Sequence, residues 1–268
     1  SIVFWRNDKI KLIGIERTPL KELEIYFNFF DFLKKTFLKI LLQISYFRFD
    51  KIVCNSEYMS KYLKKKYGFN SSTIYPPSIV KKKYKKVFLK INIKKKINII
   101  TVCRLSREKK LSELFYAINL LKDKNIKLNI VGDGPEKQRL INLVTKLRLN
   151  NQVFFLGHKS NVTGYIKNSQ LYINSSYFEG FPNAVVEAVS LGIPVISSQS
   201  HGGINEILLN GKYGTIYGSG YKILATTIKN FLNNPHLFFN KAKLAKKNVL
   251  KFNLRNHEKQ FQKLFFKI

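Results

Sequence analysis

The chain is short of sulfur and of negative charge, and no apolar run in it is long enough to cross a bilayer uninterrupted. Two cysteines in 268 residues exclude a disulfide framework. Cys54 and Cys103 each sit in an apolar run of strand character (Ile52-Val53-Cys54 and Thr101-Val102-Cys103), which argues against a cysteine metal site and fits a reducing, cytoplasmic compartment. The four histidines, His158, His201, His236 and His257, lack metal-ligand spacing, so neither a metal nor another cofactor is expected. Phe27 to Phe49 is rich in aromatic and aliphatic residues but is broken by Lys34, Lys35, Lys39 and Arg48, too many charges for a spanning helix of roughly 20 apolar residues. It reads as a helix buried against protein, with an interfacial, membrane-touching helix as the second reading. The first residue is Ser1 and no signal peptide is recognisable, which suggests a trimmed chain.

Only 16 acidic residues stand against 48 Lys and Arg, a formal net charge of +32. Such a balance invites nucleic acid. However, the cations are mostly Lys rather than the Arg fork that reads phosphates and bases, and Lys rises together with Asn, Ile, Phe and Tyr, as under a codon bias. No nucleic-acid partner is therefore expected. Solvated basic faces come first, and an acidic membrane surface second, because the runs Lys64 to Lys66, Lys81 to Lys83 and Lys94 to Lys96 could attract acidic lipid. That would place the protein peripherally on the inner face of the cytoplasmic membrane. A hydrophobic fraction of 45% and this length suit a globular protein of one or two domains.

From Ile97 onward short apolar runs alternate with helical periodicity. Strands are expected at Ile97 to Cys103, Lys127 to Val131, Val153 to Leu156, Leu171 to Asn174, Pro194 to Ser197 and Gly214 to Tyr217. Helices are expected between them near Leu111 to Lys122, Glu136 to Leu149, Asn161 to Asn168, Asn183 to Leu191 and Ile204 to Leu209. This alternation is that of a Rossmann-like doubly wound parallel sheet, an α/β fold that binds ligands at the carboxyl ends of its strands. Upstream, Ile52 to Asn55 reads as a strand and Ser56 to Tyr67 as a helix capped by Ser56. Tyr75-Pro76-Pro77-Ser78 then opens a lysine-rich linker. The expected units are a partial N-terminal domain over 1–80, a basic linker over 81–96, a ligand-binding domain over 97–250 and a C-terminal helix over 251–268 that packs back on the first unit.

Four constellations fall at strand ends. Arg104 and Lys109 follow the first strand of the large unit, where two cations can converge on one anion. Val131-Gly132-Asp133-Gly134-Pro135 follows the second, and Gly157-His158 the third; glycines there permit a close backbone approach, although ordinary turns have the same composition. Ser176-Tyr177-Phe178-Glu179-Gly180-Phe181-Pro182-Asn183 leads to Glu187. Pro182 suits the first turn of a helix and Asn183 its capping region. If helical throughout, Glu179 and Glu187 would lie ~12 Å apart and near one side, a spacing suited to a ligand with a hydroxylated ring at each end and negative charge between, such as a sugar nucleotide. Last, Ser200-His201-Gly202-Gly203 precedes Glu206, and glycines before a helix expose N–H groups at its positive end; Glu206 itself reads as a structural partner.

In this order the residues resemble the retaining glycosyltransferases of family 4, which have the GT-B fold. The likeness is close over 97–217, and Ile52 to Glu57 with Tyr75-Pro76-Pro77 resembles the end of that family's first domain and its hinge. The resemblance implies that Arg104 and Lys109 bind a donor diphosphate, Glu187 the ribose hydroxyls and Glu179 the donor-sugar hydroxyls. Gly180, Phe181, Pro182 and Asn183 would line the sugar and phosphate site, with backbone N–H groups from all but Pro182. Gly132, Gly134, Gly157, His158, Gly202 and Gly203 would complete the donor site. It also implies a UDP- or GDP-sugar co-substrate and a glycan or lipid-linked acceptor, in surface polysaccharide or glycolipid synthesis. Retention would proceed by a same-face route in which catalysis rests on Arg104, Lys109 and Glu179 through orientation and diphosphate charge. The chain departs from the family at Cys103 and Lys110, where glycine is common. About 75 N-terminal residues do not make a whole first domain, so its first half is expected to be missing, with Arg17 in Glu16-Arg17-Thr18-Pro19 as an acceptor-side candidate. A noncatalytic nucleotide-sugar-binding remnant is the competing reading, and a basic nucleic-acid binder the third.

Overall fold

The computed structural model describes residues 11–18, 20–24, 26, 28–79 and 96–266. The expected linker, apart from Lys96, lies outside them, as do Lys81 to Lys83, Lys94, Pro19 and Phe27. The larger unit is an α/β sandwich around six parallel strands, β4 (Ile97–Val102), β5 (Ile126–Val131), β6 (Val153–Gly157), β7 (Leu171–Asn174), β9 (Val195–Ser198) and β11 (Thr215–Tyr217). Their spatial order is β11-β9-β7-β4-β5-β6, the two-winged order of a doubly wound sheet. Each strand lies within two residues of its expected position. Both of their faces are covered, so β4 reads Ile-Asn-Ile-Ile-Thr-Val with four of six residues buried.

One face packs on α3 (Leu111–Leu121), α4 (Lys137–Lys146) and α8 (Tyr221–Asn233) through Leu114, Phe115, Ile118, Leu140, Ile228 and Phe231. The other packs on α5 (Thr163–Lys167), α6 (Asn183–Ser190), α7 (Ile204–Leu208) and α9 (Pro235–Val249) through Ile166, Val185, Val189, Ile207 and Val249. A two-stranded parallel ribbon, β8 (Phe178–Glu179) with β10 (His201–Gly202), sits outside the main sheet.

The smaller unit carries β1 (Ile13–Glu16), β2 (Lys51–Cys54) and β3 (Ser71–Thr73), parallel and in that order, with α1 (Phe29–Tyr46) and α2 (Glu57–Tyr67). Helix α2 starts and stops where its sequence dictates. The Ser56 hydroxyl accepts from Met59 N–H, Glu57 lies in the first turn, and Lys64, Lys65 and Lys66 occupy the last. The last helix, α10 (Leu254–Phe265), returns to this unit, with Phe261 and Leu264 against Val53, Ile74 and Ile13. Gln260 also accepts from Tyr75 N–H at 3.2 Å.

Helix α1 overturns the buried-helix reading of Phe27 to Phe49. Of its 18 residues only Tyr46 is buried. Phe29, Phe30, Leu33, Phe37, Ile40, Leu41 and Ile44 are all exposed, Phe30 by 81%, and at about 100° per residue they fall on one face. The side turned to the protein packs Leu42 and Tyr46 on the core of the smaller unit and is otherwise polar. Lys35 pairs there with Asp31 at 3.0 Å, and Lys39 with Glu24 at 3.2 Å. Sequence periodicity reports an amphipathic helix but not which face the protein takes.

Glu24, in the 3-10 turn Leu20–Glu24, joins α1 to α2. It accepts from Lys39, from Tyr62 at 2.8 Å and from Lys66. Burial opposes its charge, but the bonds from Lys66, Tyr62 and Lys39 prevail and hold its carboxyl at about 2. Glu206 joins the two units. Its oxygens accept from Glu57 N–H and Tyr58 N–H, each at 2.9 Å, at the positive end of α2. Tyr58 also meets His201 Nδ1 at 3.2 Å.

Two outcomes follow from these joints. A carboxylate held below its unfolded value, about 4.3, stabilises the fold above that pH and loses its contribution as pH falls toward about 2. The unfolding free energies of wild type and Glu24→Gln should therefore converge across that window, and a pH-independent gap between them would contradict the assignment. Glu206→Ala should lower stability in urea by about 1–2 kcal/mol, as loss of a helix cap does; a change within error would show that the joint carries no weight.

Candidate active site

The strand order reverses between β4 and β7: β5 and β6 continue one way from β4, and β7, β9 and β11 the other. At such a switch point the loops leaving neighbouring strands diverge and open a crevice at their carboxyl ends. Here these loops are 103–110 after β4 and 175–182 after β7. They are tied backbone to backbone, with Tyr177 N–H donating to Glu108 O at 2.7 Å, while the Ser175 hydroxyl donates to Lys109 O at 2.7 Å.

Across this junction Lys109 Nζ meets Glu179 Oε1 at 2.8 Å, with side chains only 14% and 16% exposed. Burial works against the ammonium, but Glu179 outweighs it and holds Lys109 above its usual range. Exposed ion pairs contribute 0–1 kcal/mol. A largely desolvated pair is different, because deleting one partner strands the other charge. Arg104 is exposed and makes no ion pair among the described residues. The pair and Arg104 line a cleft of about 310 Å3 together with Glu108, Phe178, Gly180, Phe181 and Asn183, and with Arg17, Thr18, Asn55 and Pro76 from the smaller unit.

The sequence motifs reach this region in different ways. Glu179 stands on β8 and not on a helix, and α6 begins only at Asn183, with Pro182 as its cap. The continuous helix assumed for the Glu179–Glu187 spacing is therefore absent, and the order of Pro182 and Asn183 at the cap is reversed. Glu187, half-buried on α6, accepts from the Thr163 hydroxyl of α5 and does not line the cleft around Glu179. Asn183 Oδ1 accepts from the Ser78 hydroxyl at 2.7 Å instead of capping α6.

Gly132 has φ +139°, and a Cβ there would stand 1.9 Å from Cys103 O. It and Gly134 let the loop after β5 lie on the backbone of the loop that carries Arg104; Leu105 N–H donates to Asp133 O at 2.9 Å. Gly157 O accepts from Gly132 N–H at 2.9 Å, and His158 beside it is exposed. Gly202 has φ +130°, with room for no Cβ against Glu179 O. Gly203 N–H donates to Gly180 O at 3.1 Å, so it is not open to an anion, and α7 behind it has five residues. Gly180 also backs onto Arg17 O, which accepts from Asn55 Nδ2 at 2.9 Å. This holds the Arg17 backbone at the cleft.

The two positions where the chain departs from the family resemblance are accommodated. Lys110 adopts φ +49°, a left-handed geometry costing a non-glycine residue ~1–2 kcal/mol. Its ammonium lies 4.9 Å from the Tyr177 ring centroid and 3.6 Å from Glu113, which offsets part of that cost. Burial pushes the Cys103 thiol up to about 12, leaving it neutral. Among the described residues no group of His, Cys, Asp and Glu is arranged to hold a metal ion. The sequence reading gave no site role to Asn55, Ser175 or Ser176. The signal for the last two was available, since three polar residues, Asn174-Ser175-Ser176, end an otherwise apolar strand.

Known proteins are similar to this chain in sequence and in fold. An uncharacterised glycosyltransferase of Methanocaldococcus jannaschii is 37% identical over 131 residues, 48% of this chain and 31% of that protein. The Campylobacter jejuni N,N'-diacetylbacillosaminyl-diphospho-undecaprenol alpha-1,3-N-acetylgalactosaminyltransferase is 25% identical over 206 residues, 76% of this chain and 54% of that enzyme. The chain thus spans about a third to a half of the length of these two relatives. Among solved structures, Anabaena HepE, crystallised with UDP and glucose, superposes with a TM-score of 0.80 at 18% identity over 97% of this chain and 72% of HepE, which shows a common fold. Residues 82–251 match the family model of the glycosyl transferases group 1, more than half of the chain, and the chain belongs to that family.

Proposed function

We propose that this chain carries the donor site of a retaining, family 4 glycosyltransferase that moves a hexosyl or N-acetylhexosaminyl group from a UDP- or GDP-sugar to an acceptor hydroxyl. The observation that carries this reading is the contact of Lys109 with Glu179 beside the unpaired Arg104 in the switch-point cleft. A nucleoside diphosphate sugar needs cations at its middle and hydroxyl acceptors at its ends, and the cleft offers the cations and, in Glu179, an acceptor for the sugar end. Arg104 and Lys109 would stabilise the leaving diphosphate as its charge grows, and Glu179 would accept from the transferred sugar. A cleft of about 310 Å3 suits the sugar and diphosphate. The nucleoside would then run outward past Glu187 toward Gly157 and His158. Transfer with retention would follow a same-face route in which the leaving phosphate takes the acceptor proton. Of the two carboxylates in the cleft wall, Glu179 is paired with an ammonium and Glu108 accepts from the Ser106 hydroxyl, which argues against either as a nucleophile and against the two-carboxylate scheme of glycosidases.

Arg17 reaches the cleft from the smaller unit, the wall from which an acceptor would approach. A lipid-linked or glycan acceptor is the expected class, in line with the lipid-linked substrate named for the Campylobacter relative. The outward apolar face of α1 supports attachment to an acidic membrane surface. No helix among the described residues is long and apolar enough to cross a membrane.

Calorimetric titration of UDP- and GDP-sugars should find a donor that binds wild type. Lys109→Ala and Glu187→Ala should each weaken it by about 10- to 100-fold, the loss of one charge-assisted bond. Unchanged affinity in both variants would remove the donor-site reading, and donor binding with no turnover by the full-length gene product would favour a noncatalytic remnant. For the membrane, sedimentation with phosphatidylserine vesicles should retain the protein at low salt and release it as ionic strength rises. Absence of binding at low salt would refute peripheral attachment.

A further inference from the structure

Behind Glu179 lies a line of polar side chains as deeply buried as the apolar core. Asn174 at the end of β7 is 5% exposed, Ser176 1%, and Ser197 on β9 fully buried. Asn174 Nδ2 stands 3.1 Å from Ser197 Oγ, and Asn174 Oδ1 is 2.9 Å from Ser176 Oγ. Ser176 Oγ is in turn 2.7 Å from Glu179 Oε1, the oxygen that Lys109 approaches at 2.8 Å. The line thus runs unbroken from β9 across β7 to the ion pair. The Ser176 backbone is pinned as well, since its carbonyl accepts from the Ser198 hydroxyl.

A serine hydroxyl has one proton to donate. With Asn174 Oδ1 and Glu179 Oε1 both facing Ser176 Oγ, one acceptor is left against a lone pair. Turning the Asn174 amide by 180° resolves this. Ser197 O–H, which otherwise donates to Ser198 O at 3.0 Å, then donates to Asn174 Oδ1, while Ser198 O keeps the N–H of Ser200 at 2.8 Å; Asn174 N–H donates to Ser176 Oγ, and Ser176 O–H to Glu179 Oε1. Every group donates in one direction, and each bond polarises the next. Such a fully satisfied buried chain is rigid, whereas a half-satisfied one is costly.

We propose that Ser176, oriented by Asn174 and Ser197, is a positioning residue that locks Glu179 Oε1 onto Lys109 and leaves Oε2 as the single acceptor presented to the cleft. No hydrogen bond among the described residues engages Oε2. The site would therefore take a neutral hydroxyl of the transferred sugar at that point and reject an anionic group, because one oxygen is already neutralised and the other needs a proton donor. This step rests on the donor-site reading above.

The test separates positioning from packing by a readout that needs no ligand. The Lys109 ammonium is titrated in the full chain by NMR of 13Cε-labelled lysine, its signal identified by its loss in Lys109→Arg. The charged and titratable groups facing it are Glu179, Cys103 and Glu108. Freeing Glu179 should weaken its hold on the ammonium, so Ser176→Ala should move the Lys109 titration down by at least about half a pH unit. Ser176→Thr, which keeps the hydroxyl, should restore it, and adding Ser176→Ala to Glu179→Gln should change nothing further. A Ser176→Ala protein that melts earlier but titrates like wild type would reduce Ser176 to packing and overturn the proposal. UDP titrated into the same samples reports the donor site separately. If wild type bound no UDP, the donor reading would fall, while the titration would still decide whether Ser176 sets the ion pair.

Discussion

The ion pair of Lys109 and Glu179 is the constraint around which the rest of the site is arranged. The two residues leave different strands, β4 and β7, on either side of the point where the sheet reverses its winding, and nothing local would bring them together. Their loops are closed onto each other by Tyr177 N–H and the Ser175 hydroxyl, which place the Lys109 backbone, and by Ser176, which holds the carboxylate. Burial opposes the ammonium and Glu179 restores it. The pair is thus stable only as a pair, and the loops must stay in register for either charge to be tolerated.

How much of this was legible in the sequence depended on whether a signal was local. Helix α2 was read to its ends because Ser56, Glu57, Lys64 to Lys66 and Gly68 supply every terminal preference within the segment. Strands β4 and β7 were legible as buried apolar runs, and Arg104, Lys109 and Glu179 as the charges at their ends. The Glu179–Glu187 spacing was misread. A parallel ribbon with β10 holds Glu179 in extended backbone, and that pairing is made with residues more than twenty positions away. Likewise, no periodicity could show that α1 turns its broad apolar face outward, because the partners of its inner side, Glu24 for Lys39 and the core that receives Leu42 and Tyr46, exist only once the smaller unit is assembled.

The glycines show the same division. Gly132, Gly180, Gly202 and Gly203 were noticed as residues that could admit a ligand. In the fold they first admit other backbone: Cys103 O, Arg17 O, Glu179 O and Gly180 O lie where their side chains would be. This packing is what brings the loops after β4, β5 and β7 within reach of one another. A glycine motif at a strand end therefore marks where loops pack closely on one another, even where its own N–H is already bonded.

Charge composition sharpens the point. With 48 cations and 16 anions, a lysine is easily replaced by a neighbouring one, but a carboxylate is scarce. Several of the carboxylates sit at joints. Glu24 ties α1 to α2, Glu206 ties α2 to the larger unit, Glu136 holds Arg107 and Arg139, and Glu179 closes the cleft. Most of the described lysines, by contrast, are exposed. The excess of positive charge sets how the surface meets acidic partners, whereas the positions of the few carboxylates set the geometry. In a chain so basic, the informative charges are the negative ones, and the pair Glu179 and Glu187 drew attention for that reason, although only the first of them faces the cleft.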